Sequence, residues 1–279
     1  MKSKLLKTSI LLFLAVLLTG CGANYKFKKA KKFEKQGYYI EAIQQYKNIA
    51  KKYPKNPVSP QALYYAGRVY QTKLKIYSES INTYLELIKK YPDSDIWVKM
   101  AKAGIFNSPC YFPLYDGNSW TEGDSQSLGK NMRVEWNSIE ISTGIFKVIK
   151  KYYAGTTLAT QPVIRYFSFD NFELLEAKSP DFSDKTTILK YPFYEGLSWL
   201  TQQDGRKLKF TIVNVNANAK TVSGDYTNCL KIQQEDLNLP GSYKYTYYAK
   251  DTGFVLITVG TAKRENRNSE LISCKLKEQ

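Results

Sequence analysis

The sequence predicts an α+β chain: a short N-terminal α-solenoid of helix pairs, followed by an all-β antiparallel region of two similar halves. Three observations carry that expectation. The stretches "YKNIAKKYPKN" from Tyr46 and "YLELIKKYPDS" from Tyr84 echo each other, with Pro54 and Pro92 38 positions apart. After Asn107 the apolar period changes from helical to alternating. One phrase is written twice, as "PLYDGNSW" from Pro113 and as "PFYEGLSW" from Pro192.

Residues 1–20 read as a secretory signal. Lys2, Lys4 and Lys7 form a basic start, and Ile10 to Leu18 is an unbroken apolar run. That run is too short to cross a bilayer as a helix, which needs about 20 residues. The signal ends Leu18-Thr19-Gly20-Cys21, which resembles the lipobox of bacterial lipoproteins. The resemblance implies cleavage before Cys21 and a lipid-modified N-terminus. A single acyl chain anchors only marginally, whereas two or more make the attachment stable.

Residues 21–107 read as paired helices. Ala42, Tyr46 and Ile49 lie at i, i+4 and i+7, and so do Ser80, Tyr84 and Leu87. Each run closes on Lys-Lys-Tyr-Pro, where lysines favour a helix C-terminus and proline stops the helix. The pattern resembles the tetratricopeptide repeat, which alternates small and aromatic packing residues and ends in proline. Ala30, Phe33, Ala42, Tyr46, Ile49 and Pro54 match its spacing, although Ile49 stands where the family has a small residue. The second repeat offers Gly67, Tyr70, Ser80, Tyr84, Leu87 and Pro92, with one extra residue between its helices. Trp97, Met100 and Ala101 read as the start of a third pair, with no partner helix following. The segment is also similar to the tetratricopeptide lipoproteins of bacterial envelope and outer-membrane assembly.

Residues 108–279 read as β-rich, with halves of about 108–188 and 189–279. Pro109, Pro113, Gly117 and Gly123 mark the boundary. Roughly ten short strands follow, near five to each half. In "KLKFTI", Leu208, Phe210 and Ile212 alternate with Lys207, Lys209 and Thr211. In "YKYTYYA", Tyr243, Tyr245 and Tyr247 share a face. The doubled phrase reads in two ways: as a binding site used twice, or as the marker that opens each half. In the architectural reading Pro113 and Pro192 end a strand, Gly117 and Gly196 turn the chain, and Trp120 and Trp199 enter the next strand to fill the core. The second half resembles β domains of bacterial lipoproteins through Pro192, Gly196 and Trp199, then Gly224, Tyr226 and Cys229, then Tyr248, Ala249 and Gly253. That likeness implies location and fold, not chemistry.

Composition narrows the chemistry. The chain has no histidine, which removes the commonest general base and metal ligand. No metal site and no cofactor is expected. Cys110, Cys229 and Cys274 are too far apart in sequence for a CxxC motif. Export permits a disulfide, and Cys229–Cys274 is the pairing favoured by two strand-like segments of one half. Asp116 and Glu195 stand at matched places, with Glu122 and Asp124 near the first. A glycosidase would need two such carboxyls in a cleft, but acid-Gly turns are ordinary in β proteins, so no enzyme is expected. The tyrosine stripe suits either cross-strand packing or a stacking platform for sugar rings.

Charge is uneven. Residues 21–107 hold 17 Lys and Arg against 6 Asp and Glu, whereas residues 108–279 hold 21 against 19. A basic segment beside an anchor suits a solvated surface, anionic headgroups or an acidic envelope partner; it does not suit nucleic acid in an exported protein. The expected role is an adaptor that meets envelope proteins through its helical segment, with the lipid anchor meeting the membrane. The alternative is a ligand binder whose β region holds glycan or lipid. Gly22 after the cysteine lacks an acidic inner-membrane retention signal. The expected location is therefore the periplasmic face of the outer membrane, or the cell surface in a bacterium without one. Substituting Cys21→Ser should abolish acyl labelling and leave unprocessed or soluble precursor in a fractionation. Normal acylation of that variant would refute the lipobox reading.

Overall fold

The computed structural model describes residues 22–277. The signal over residues 1–20 and the lipidation of Cys21 lie outside the described residues. The chain divides into two compact units, one ending at Ser108 and the other beginning at Pro109.

The helical unit contains α1 (residues 22–35), α2 (Tyr39–Lys52), α3 (Val58–Val69), α4 (Tyr77–Lys90) and α5 (Asp95–Phe106). Lys51 and Lys52 close α2, and Lys89 and Lys90 close α4. The exposed Pro54 and Pro92 follow each end by two residues. The extra residue of the second repeat is absorbed in a π-helical turn, Tyr70–Leu74, that continues α3. Lys75 ends that turn in the left-handed region, at φ 56°.

Small residues let these helices approach. Ala30, Ala42, Tyr46 and Ile49 are fully buried in one cluster, with Phe33 and Tyr70 packed half-buried against it. In the second repeat the buried Tyr84 ring is clasped between two glycines. A Cβ at Gly67 would stand 2.6 Å from Tyr84 Cε1, and one at Gly104 would stand 2.4 Å from Tyr84 Cε2. Tyr84 donates its hydroxyl to Gln71 Oε1 at 2.8 Å, and Ser80 donates to the Gly67 carbonyl at 3.0 Å. Leu87 is buried beside them. Ala101 is buried on α5, but the close approach is made at Gly104.

The β unit is one antiparallel sheet of thirteen strands among the described residues, not ten. They are β1 (Ser119–Asp124), β2 (Met132–Ser142), β3 (Ile145–Ala154), β4 (Thr157–Leu158), β5 (Val163–Asp170), β6 (Glu173–Ala177), β7 (Thr186–Lys190), β8 (Ser198–Gln203), β9 (Arg206–Thr221), β10 (Gly224–Asp236), β11 (Tyr243–Ala249), β12 (Gly253–Gly260) and β13 (Glu265–Lys275). The order is β7-β6-β5-β3-β2-β1-β13-β12-β11-β10-β9-β8, with β4 on β3 off the path. It is two meanders of six strands joined where β1 pairs with β13. The outer strands β7 and β8 meet without a backbone ladder. Thr186 donates to the Gln202 carbonyl at 2.7 Å, and the Thr187 amide to Thr201 Oγ1 at 3.1 Å. These contacts bring the sheet nearly into a barrel.

The doubled phrase opens each meander with the same geometry. Gly117 and Gly196 sit at φ +83° and +92°, where a side chain would be strained. Gly117 N–H donates to the Ser138 carbonyl and Gly196 N–H to the Ile212 carbonyl, each at 2.8 Å. The acids then accept from the following strand: Glu140 N–H meets Asp116 Oδ1 at 3.3 Å, and Val215 N–H meets Glu195 Oε1 at 3.2 Å. Trp120 and Trp199 are buried, and their indoles donate to the Thr252 and Thr187 carbonyls. Trp120 stacks on Phe112 and Trp199 on Phe210. Pro113 precedes the first turn and accepts from Asn118 Nδ2 at 2.8 Å; Pro192 precedes the second.

The expected Cys229–Cys274 disulfide is overturned. Cys110, Cys229 and Cys274 are free thiols. Cys229 is on β10 and Cys274 on β13, with β11 and β12 between them. Three strand spacings are about 14 Å, twice the Cα separation of about 7 Å that a disulfide tolerates. Burial also pushes the Cys229 thiol up to about 11, which leaves little thiolate for oxidation.

Truncating Trp120 or Trp199 to Ala should cost about 3–5 kcal/mol in denaturant unfolding. Asp116→Asn and Glu195→Gln, on exposed turns, should stay within about 0.5 kcal/mol. Gly104→Ala should destabilise the helical unit by about 1–3 kcal/mol, because Tyr84 has no room to yield. An unshifted melting curve for Gly104→Ala would remove the clasp from the account.

Candidate functional site

Two features of the described residues can meet something outside the chain. One is an aromatic ridge on the helical unit; the other is a cavity inside the β unit.

The ridge is shared by α1, α3 and α5. Phe27 meets Tyr65 edge-on at 5.5 Å, Tyr64 meets Trp97 at 5.5 Å, and Tyr65 meets Trp97 at 6.5 Å. All four rings are half-buried. Cations cover Tyr65: Lys31 Nζ lies 4.1 Å from its centroid and the Arg68 guanidinium 4.5 Å. Arg68 is held by Glu34 Oε1 at 2.5 Å, and Tyr46 donates to Glu34 Oε2 at 2.8 Å. Glu34 therefore ties α1 to both α2 and α3 and fixes the guanidinium over the ring. Burial, then the Glu34 hydrogen bond, pushes the Tyr46 hydroxyl far above the ordinary tyrosine range, so it stays a donor. Sequence reasoning placed Tyr46 in the packing but missed Glu34, Tyr65 and Arg68. Their signal is modest: Lys31, Glu34, Tyr65 and Arg68 interrupt α1 and α3 at spacings of three.

The cavity has a volume of about 350 Å³ and draws its lining from strands of both meanders. Its charged floor lies on β3, β5 and β6. Lys150 Nζ is 3.2 Å from Glu176 Oε1, and Arg165 Nε is 3.7 Å from the same oxygen. Lys150 also sits 3.8 Å above the Trp136 ring. Burial pushes the Lys150 ammonium below its ordinary value, while Glu176 pulls the other way. Glu122 on β1 also lines the cavity, and Ser269 donates to its Oε1 at 2.5 Å. The Trp136 indole N–H is buried without a partner.

The remaining sequence candidates are accounted for locally. Asp116 and Glu195 cap backbone amides, as described. Hydrogen bonds from the Ser127 hydroxyl and amide, then the Met132 amide, hold Asp124 below the usual carboxylate range. Tyr243, Tyr245 and Tyr247 lie on the face opposite the cavity. Lys231 covers Tyr245 at 4.5 Å and Tyr247 at 5.0 Å, so that stripe is not an open stacking platform. Gly224 starts β10, Gly253 starts β12, and Tyr226 donates or accepts with Ser223 at 3.1 Å. Among the described residues no three Cys, Asp or Glu side chains stand together as a metal site, and no helix is long and apolar enough to cross a membrane.

The tetratricopeptide repeat model matches residues 61–94, which span most of α3 and all of α4. Tetratricopeptide repeats mediate protein–protein interactions, and this match carries that general expectation to the helical unit. No curated protein matches the chain. The chain is similar to a solved structure from Bacteroides fragilis NCTC 9343, a protein taken to be exported, with a YmcC-like fold. The identity is 14% and the TM-score 0.40, covering 59% of this chain and 98% of the other. A second likeness is to a protein from Parabacteroides distasonis ATCC 8503 taken to be a lipoprotein. Its identity is 13% and its TM-score 0.38, again covering 59% and 98%.

Substituting Glu176→Gln should destabilise the β unit by about 3–5 kcal/mol, because it leaves the buried Lys150 ammonium without its nearest counter-charge. Chemical unfolding followed by β-sheet circular dichroism checks this; a loss under about 1 kcal/mol would mean that the cluster is solvated.

Proposed function

We propose that the chain is a lipid-anchored adaptor of the bacterial cell envelope that holds partner proteins through its helical unit and performs no catalytic step. The observation that carries this reading is the aromatic ridge with cations fixed above it. Rings that are already ordered lose little entropy on binding, and aromatic and Arg residues dominate interface energies. Lys31 and Arg68 favour an acidic partner segment, and the whole helical segment is strongly basic.

The anchor reading rests on the basic start, the apolar run and Leu18-Thr19-Gly20-Cys21. It supports the periplasmic face of the outer membrane, or the cell surface in an organism that lacks one. The absence of histidine and the structural use of Asp116, Glu195 and Asp124 support a non-enzymatic role. Exported location and anchoring speak against a nucleic-acid partner. A second reading, ligand binding in the β unit, is favoured by the cavity and its mixed charged and aromatic lining.

The test is a pull-down from detergent-solubilised envelope with the full chain and with Lys31→Glu. The adaptor reading expects stoichiometric protein partners with the full chain, and recovery reduced by at least about tenfold by charge reversal over Tyr65. Higher salt should weaken the same contact. Equal recovery by the variant, or recovery of glycan or lipid without protein, would overturn the reading.

A further inference from the structure

We propose that the cavity inside the β unit is a binding site for a neutral sugar of one or two rings. This deepens the second reading above, and it rests on the cavity alone, not on the helical ridge.

The lining decides the ligand class. A cavity of about 350 Å³ falls at the small end of ligand pockets, which span about 300–1,000 Å³. It has the volume of roughly a dozen waters at about 30 Å³ each. Its charged groups balance: Lys150, Arg165 and Lys244 face Glu122, Glu176 and Asp204. An acyl chain would lie against these six charges and satisfy none of their hydrogen bonds. A strongly anionic or cationic ligand would meet as many like charges as opposite ones. A neutral polyhydroxyl ligand suits both halves of the set, because each hydroxyl donates to a carboxylate and accepts from an ammonium or guanidinium.

Polar groups stand among the aromatic walls. Tyr248, which is buried, lines the cavity, and burial pushes its hydroxyl far above the ordinary tyrosine range, so it remains a donor. Gln234 on β10 and Thr246 on β11 line the cavity as well, from strands that carry none of the Lys150–Glu176–Arg165 cluster. Phe112, Phe254 and Tyr248 add apolar lining for the C–H side of a sugar ring. The tyrosine stripe on the opposite face does not compete for this role, because Lys231 covers it.

The test titrates the detergent-solubilised full chain with N-acetylglucosamine, chitobiose, glucose, galactose and maltose, followed by saturation-transfer NMR. Decanoate and sulfate form the other two arms. The expected result is saturable binding of at least one sugar, with neither decanoate nor sulfate displacing it. Gln234→Leu and Thr246→Val should each weaken that binding by about tenfold, with an unchanged unfolding curve. Lys31→Glu, which tests the helical ridge, should leave it untouched, so the two readings fail separately. The proposal is overturned if no sugar of the panel binds, if decanoate or sulfate occupies the site instead, or if sugar binding survives both lining substitutions at full strength.

Discussion

The ladder between β1 and β13 is the constraint on which the β unit depends. Among the described residues it is the one backbone ladder that joins the two meanders. It pairs the first strand with the last, with Trp120 opposite Cys274 and Glu122 opposite Leu271. Closing a loop of that length costs little more than closing a shorter one, because the entropy grows only as the logarithm of length. Register matters far more. A slip by one residue would turn every side chain of a strand to the other face. It would carry Glu122 out of the cavity and break its bond from Ser269. The junction therefore fixes which residues of both meanders share an interior.

The helical unit depends on a comparable constraint at smaller scale. Tyr84 is too large to bury between three helices unless two of them lack a Cβ at the point of contact. Gly67 and Gly104 supply that space on α3 and α5. Close approach of those helices places Tyr64 and Tyr65 within ring contact of Trp97, which extends the aromatic ridge from α1 across to α5. Packing and presentation are the same event here: the buried glycines set the helix spacing, and the spacing sets the ridge.

Much of this was legible in the sequence, for physical reasons that differ by element. Helix ends were visible because Lys-Lys-Tyr-Pro combines a favourable C-terminal charge with a stop. The doubled phrase was visible because its turn needs glycine at positive φ and an acid to receive a backbone amide. Gly104 left one trace, since Ala30, Gly67 and Gly104 recur at a spacing of 37, but the small Ala101 on the same helix fits the packing pattern equally well. β6 was illegible because "ELLEA" lacks the β-branched run that marks a strand, whereas β8 was visible only through Trp199. β9 was read too short because "NVNANA" is rich in asparagine, whose strand propensity is poor. The lining cluster was illegible because Lys150, Arg165 and Glu176 sit on three strands that only topology brings together. One trace of it was present. Phe146, Val148 and Lys150 alternate on one face of β3, so a lysine occupies a position where the pattern calls for an apolar residue.

The two meanders keep their spacing by moving residues between loop and strand. Trp120 lies opposite Trp136, sixteen residues on, whereas Trp199 lies opposite Phe210, eleven residues on. The second half has a two-residue turn where the first has a longer connection, and β9 is five residues longer than β2. Both routes arrive at a glycine in the next hairpin, Gly144 and Gly224, 80 positions apart. The architecture thus tolerates local changes of length while holding its turns. It has no comparable need for buried charge. Replacing a buried ion pair by apolar side chains of similar volume is often neutral or stabilising by about 1–4 kcal/mol. A sheet that required only a filled interior would do as well with apolar residues at Lys150, Arg165 and Glu176. Their presence in the lining of the cavity is better accounted for by a ligand with hydroxyls to share than by stability.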